Sequence, residues 1–218
     1  MVVVVQKFVE FCLQPLVSII PTEGLKSQNG TVSKTERWDR CITAQGDYLE
    51  EDDVKNLEMN FSILPVLQID GETEIPQSMA IARYLAREFG FHGKNNVDMA
   101  RIESICDCLN DILDDYLQLY YEKNFSKKAA LRDHYNDTCR RILPFLEKTL
   151  GQYDNGAKYF FGEQIMLCDM MCYAALESPI NDNQTILKDY PKLRNLRHRV
   201  VCHPQISAYI LKRSDTTF

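Results

Sequence analysis

The spacing of apolar and polar positions changes along this chain, and each change marks an element. Residues 63–69 are a short β-branched and leucine run, Asp70-Gly71 is a dipeptide that favours a tight hairpin turn, and residues 72–75 return as a partner strand. Beyond Pro76, Ile81, Tyr84, Leu85 and Phe89 recur at helical spacing while Arg83, Arg87 and Glu88 fall on other faces. The Ser78 hydroxyl is placed to cap the start of that helix, and Gly90 to end it in the left-handed conformation. The pattern predicts a strand, turn, strand, helix unit.

After a polar connector at 93–97 the period becomes helical throughout, which puts a domain boundary near residues 91–98. Ile102, Ile105, Leu109, Leu113, Tyr116 and Tyr120 step by three or four, with Asp107, Asp111 and Asp114 on other faces. Leu131, Tyr135, Ile142, Phe145 and Leu146 do the same for a second helix that Gly151 closes, and 190–201 and 204–212 read as short, basic, amphipathic helices. Residues 98–218 therefore form an all-α domain. Upstream, 2–11 and 17–20 fit short strands, 22–33 is a loop rich in Gly, Ser, Asn and Thr, and 35–60 is weakly helical. The acidic run from Glu50 to Asp53 is a solvated face or a first helical turn.

Composition narrows the function classes. A chain of 218 residues, 45% hydrophobic, can bury one large core or two modest ones. A net charge of −6 without a Lys/Arg run argues against a nucleic-acid partner. No stretch is long and apolar enough to span a bilayer, and Lys7 and Glu10 break the apolar opening before it makes a signal peptide, so a cytoplasmic protein is expected. The eight cysteines show no zinc-type spacing and read as reduced thiols. Five Asn-x-Ser/Thr sequons, at Asn29, Asn60, Asn124, Asn136 and Asn183, read as chance matches in such a protein. His92, His134, His198 and His203 are scattered, and neither a nucleophile triad nor a phosphate-binding glycine loop is discernible.

Two details carry candidate chemistry. Pro65, after Leu64, removes a ladder donor from its strand, which suits a strand end whose backbone turns toward a peptide-like ligand. Gln77 and Ser78 sit where free N–H groups and the helix dipole favour a carboxylate. An edge proline and an ordinary helix cap account for the same residues equally well.

The segments LPVLQIDG and IPQSMAIARYLAREFG, with LCDMMCYAALESPI and LKDYPKLRNLRHRVVCHPQISAYILKR further on, resemble the sigma-class cytosolic glutathione transferases and the cephalopod S-crystallins, lens proteins related to them. The resemblance runs from residue 63 to the C-terminus. It implies the glutathione transferase fold: an α/β thioredoxin-like domain at 1–92, divergent over 1–62, followed by an all-α domain at 98–218. It also implies roles. Pro65 would be cis and the backbone beside it at Leu64 would pair with the cysteinyl part of glutathione, while Gln77 and Ser78 would hold the γ-glutamyl carboxylate. Asp107 would reach across the two-fold axis of a homodimer to the neighbour's glutathione amine. Residues 159–162 and the EQIMLCDMM that follows resemble the family's turn into its core helix, which carries a Ser/Thr cap and an Asp three residues on. Here Met166 stands at the cap and Asp169 at the third position, so half of that capping box is missing, a loss worth roughly 0.5–2 kcal/mol that a staple from Ile165 to Met170 partly offsets.

The chain departs from the family where catalysis begins. Family members carry a first-strand tyrosine whose hydroxyl keeps the glutathione sulfur ionised, and the first tyrosine here is Tyr48. A thiol that ordinarily ionises near pH 8.5 needs a positioned hydroxyl or cation to become a thiolate at neutral pH, and nothing in the spacing recommends Ser18, Thr22 or Lys7 for that task. Losing one such donor typically costs ~10²–10³ in rate. Trp38 only faintly resembles a family tryptophan near the glycyl end of glutathione. No catalytic residue and no metal site are assigned. The resemblance then implies a structural component of the eye lens with little or no transferase activity, glutathione being at most a weak ligand; the alternative is a sigma-class transferase conjugating glutathione to electrophiles. The 11 Tyr, 10 Phe, 7 Met and 8 Cys suit a polarisable lens protein and suit many enzymes equally.

Overall fold

A computed structural model describes residues 66–69 and 73–212. Leu64, Pro65, the Asp70-Gly71 turn and every expectation for residues 1–62 lie outside the described residues. The chain divides into two compact units, the second spanning Ala86–Ser214.

In the first unit, β1 (Val66–Ile69) and β2 (Thr73–Pro76) pair antiparallel, with Ile69 opposite Thr73 and Val66 opposite Pro76. The two strands are thus joined by residues 70–72, one more than a two-residue hairpin loop uses. Pro76, which has no N–H to offer a ladder, stands at the last position of its strand, where that lack matters least. Helix α1 (Ser78–Phe89) follows at once, with Ile81, Ala82, Leu85 and Ala86 buried. Ser78 is its first helical residue. The cap position belongs to Gln77, whose carbonyl accepts the first helical hydrogen bond from the Ile81 N–H at 3.0 Å, which corrects the expected cap by one residue. Gly90 ends the helix at φ +80°. Its N–H reaches the Arg87 carbonyl at 3.4 Å and the Phe91 N–H reaches that of Ala86 at 2.8 Å, the paired bonds of a Schellman closure.

The second unit is helical. Helix α2 (Asn96–Tyr121) starts on Asn95, whose Oδ1 accepts the N–H groups of Val97 and Asp98 at 3.0 and 2.9 Å. Helix α3 (Phe125–Leu150) starts on Asn124, which accepts from Ser126 and Lys127, and stops at Gly151. A 3₁₀ turn (Asp154–Gly156) precedes α4 (Leu167–Asp182), and α5 (Pro191–Cys202) and α6 (Pro204–Lys212) complete the described residues. Asn183 after α4 accepts from both the backbone and the hydroxyl of Thr185. Two of the five sequons are thus element-end hydrogen-bonding motifs, in which Asn is useful for its side-chain oxygen.

The expected stripes are largely the observed ones. Ile102, Ile105, Leu109, Leu113 and Tyr116 of α2 are buried, as are Ile142, Leu143, Leu146 and Leu150 of α3. Phe145 is the exception at 45% exposed, because it stands one residue, about 100° of rotation, from Leu146 and falls off the inward face. Helix α4 packs against α2 and α5, and α5 in turn against α3 and α6. Nearly every residue of α4 from Leu167 to Pro179 is buried, so this helix is apolar on all sides and shows no amphipathic period.

Candidate functional site

The candidate anion site is built by the join between β2 and α1. Gln77 is held at φ +75°, a conformation that non-glycine residues seldom adopt and that costs of order 1–3 kcal/mol. That bend turns the chain from Pro76 straight into α1, so the unpaired N–H groups of the first helical turn begin one residue after the strand ends. No acidic side chain stands in that turn, which reads Ser-Met-Ala-Ile, and the positive end of the helix dipole is left to an incoming carboxylate. The Gln77 side chain is exposed and that of Ser78 half-buried, so both are reachable from solvent. Spacing alone found this pair; the positive φ had no signal, since glutamine is not a residue that announces a left-handed turn.

Asp107 is exposed on α2, next to the buried Cys106. It belongs to an acidic series in which Asp111 and Asp115 follow at helical intervals. Burial, then Asp111, then Asp115 push the neighbouring Asp114 carboxyl upward, while a hydrogen bond donated by Asn110 Nδ2 at 2.7 Å opposes them. Asp107 therefore faces outward from the second unit, and Gln77 and Ser78 lie in the first. Leu64 and Pro65 are outside the described residues. Among those residues no cluster of His, Cys, Asp and Glu could hold a metal ion.

The second unit holds groups that sequence reasoning saw only in part. Asp169 is completely buried; its Oδ2 accepts the Met166 N–H at 2.8 Å and its Oδ1 the Phe160 N–H at 2.9 Å. The first of these is the surviving half of the capping box at the start of α4. The second ties that start to a tight turn in which Tyr159 and Gly162 exchange backbone hydrogen bonds. Burial raises the Asp169 carboxyl to about 7, against the two N–H donors and Arg199, which favour the charged form. The Leu167 N–H, another donor orphaned at the start of α4, is taken by the Phe91 carbonyl at 2.9 Å.

Two further helix contacts had no sequence signal at all. Glu147 of α3 accepts the N–H groups of Lys192 and Leu193 at 2.9 and 3.0 Å, supplying from another helix the cap that Tyr190 cannot give α5. Arg197 of α5 lies 4.5 Å above the Tyr173 ring and donates through Nη1 to the Cys172 and Tyr173 carbonyls of α4. Tyr116 donates to Asp182 at 2.6 Å, and burial followed by that carboxylate raises its hydroxyl, so it is a fixed donor and not a base.

Comparison with known proteins places this arrangement. Residues 110–213 match the family described as glutathione S-transferase, C-terminal domain. Monomeric Na-GST-3, a glutathione S-transferase from the hookworm Necator americanus, superposes with a TM-score of 0.67 at 24% identity, over 84% of this chain and 93% of that one. The architecture is thus the glutathione transferase fold. Among curated proteins, S-crystallin SL11 of Nototodarus sloanii is 54% identical over 161 residues, covering 74% of this chain and 78% of its own length. S-crystallin 4 of Enteroctopus dofleini is 52% identical over 171 residues, covering 74% and 80%. The chain belongs to the S-crystallins of the glutathione transferase superfamily.

Proposed function

We propose that this chain is a structural protein of the eye lens, a glutathione transferase fold retained without effective thiol activation. The observation that carries the reading is the identity of 54% to an S-crystallin over most of both chains. The sequence adds that no tyrosine precedes Tyr48, so no first-strand phenol is available to ionise a glutathione sulfur. Gln77 and Ser78, at a helix start free of acidic side chains, keep the means to hold a γ-glutamyl carboxylate. Leu64 and Pro65 would meet the cysteinyl portion, and Asp107 would serve the site of a neighbouring copy. Glutathione is then a weak ligand held by its tail, and the protein is cytoplasmic; no helix among the described residues is long and apolar enough to cross a membrane.

The test is conjugation of glutathione to a chlorinated nitrobenzene, run beside retention on immobilised glutathione. Turnover at least ~10²-fold below that of an ordinary sigma-class transferase is expected, the cost of one lost charge-stabilising donor, together with poor retention. Turnover equal to that enzyme's would establish the alternative, a working transferase.

A further inference from the structure

We propose that Cys202 is a thiol-exchange site for small anionic disulfides, with His198 and Arg194 as its charged surroundings. Cys202 is the one exposed thiol among the described residues. Its Sγ lies 3.7 Å from Nδ1 and 3.8 Å from Nε2 of His198, one helical turn back on α5. Arg194 stands a further turn back, and all three side chains are exposed, so they make a single column along the solvent face of the helix. Helix α5 contains no acidic residue, and none occurs in the sequence between Asp189 and Asp215. A cysteine that is both exposed and set in positive surroundings is the kind that reacts as thiolate.

The other described thiols differ in every respect that matters. Burial pushes Cys108, Cys139 and Cys168 upward and Cys172 up to about 12, and Cys106 is also buried. At Cys202 the exchange runs without any outside oxidant. The thiol gives its proton to His198 or water, and the thiolate attacks one sulfur of the incoming disulfide. That S–S bond breaks as the new one forms, and the departing thiolate takes up a proton, so one thiol is consumed and one released. Carboxylates on the incoming disulfide are attracted by Arg194 and by His198 when it is protonated.

The experiment treats the folded full-length chain with glutathione disulfide and maps the mixed disulfide by peptide mass spectrometry. Rates are then compared for two probes at one neutral pH, the dianionic disulfide of thionitrobenzoate and the uncharged dithiodipyridine. Cys202 is expected to be modified before Cys106, Cys108, Cys139, Cys168 and Cys172. Arg194→Gln is expected to lower the anionic-to-neutral rate ratio about twofold to fivefold, the effect of one unit charge at roughly 4–8 Å in water. His198→Gln is expected to slow both probes, and Cys202→Ser to abolish the adduct at this position with the far-ultraviolet spectrum unchanged. Prior modification of any of the five other thiols, or a rate ratio indifferent to Arg194→Gln, overturns the proposal.

Discussion

Asp169 shows how a single buried carboxylate can be structural and still respond to pH. In an unfolded chain an aspartate ionises near pH 4, whereas in the fold burial raises this one to about 7. Between those values the folded state keeps a proton that the unfolded state has released. The resulting stabilisation is full below about pH 4 and is lost as pH rises through about 7. Asp169→Asn removes the titration and weakens one of the two bonds to the Met166 and Phe160 N–H groups, at a cost of about 1–3 kcal/mol. Thermal melts of the two proteins across pH 4.5 to 7.5, roughly the window between these two ionisations, are therefore expected to converge as pH rises. A constant gap across that window would show that Asp169 is ionised throughout. The neighbouring Met166 is explained by magnitudes: forgoing a Ser/Thr cap costs roughly 0.5–2 kcal/mol, while burying a Met side chain returns about 1.5–3 kcal/mol, and Met166 is only 9% exposed.

At the scale of elements, capping from outside decides how α5 starts. Pro191 fits its first position and Tyr190 offers no side-chain bond, so the carboxylate of Glu147 on α3 is the side chain that satisfies Lys192 and Leu193. Glu147→Ala is expected to destabilise the chain by about 1–2 kcal/mol, and Glu147→Gln by less, because the amide keeps one acceptor oxygen. Urea midpoints of the three proteins check this; equal midpoints would mean that water caps α5 as well as Glu147 does. The same scale shows what was legible in the sequence. Helices α1, α2 and α3 were readable because each has one wet face and one dry one, so Ile81 and Leu85 or Ile102 and Ile105 stand out by period. Helix α4 had no such period, being buried on every side, and only the Asp169 spacing and the family pattern pointed to its start. Glu147 was illegible because a cap delivered from another helix leaves no local pattern. In the candidate site Gln77 and Ser78 were found by position, but the positive φ that aims them was not, since it is imposed by the join of Pro76 to α1 and not by side-chain preference.

At the scale of the molecule the open matter is self-association. A homodimer through α2, which presents Asp107 outward, follows from the family reading, although the superposed hookworm protein is described as monomeric. Sedimentation velocity at micromolar concentration is expected to give the mass of two chains; the mass of one would remove Asp107 from the proposed glutathione site, since its role there needs a second copy. Net charge of −6 favours dispersal of such an assembly over clumping, as a crowded, transparent medium requires. The enclosed position of α4 has one more consequence. A helix without a solvated side cannot form ahead of its neighbours or fray by itself, so its amide protons should be among the last to exchange for deuterium, all leaving together when the entire helical unit opens. A lens cell that keeps its proteins for life would gain from such a clasp at the centre, because slow damage to the rim leaves it shut.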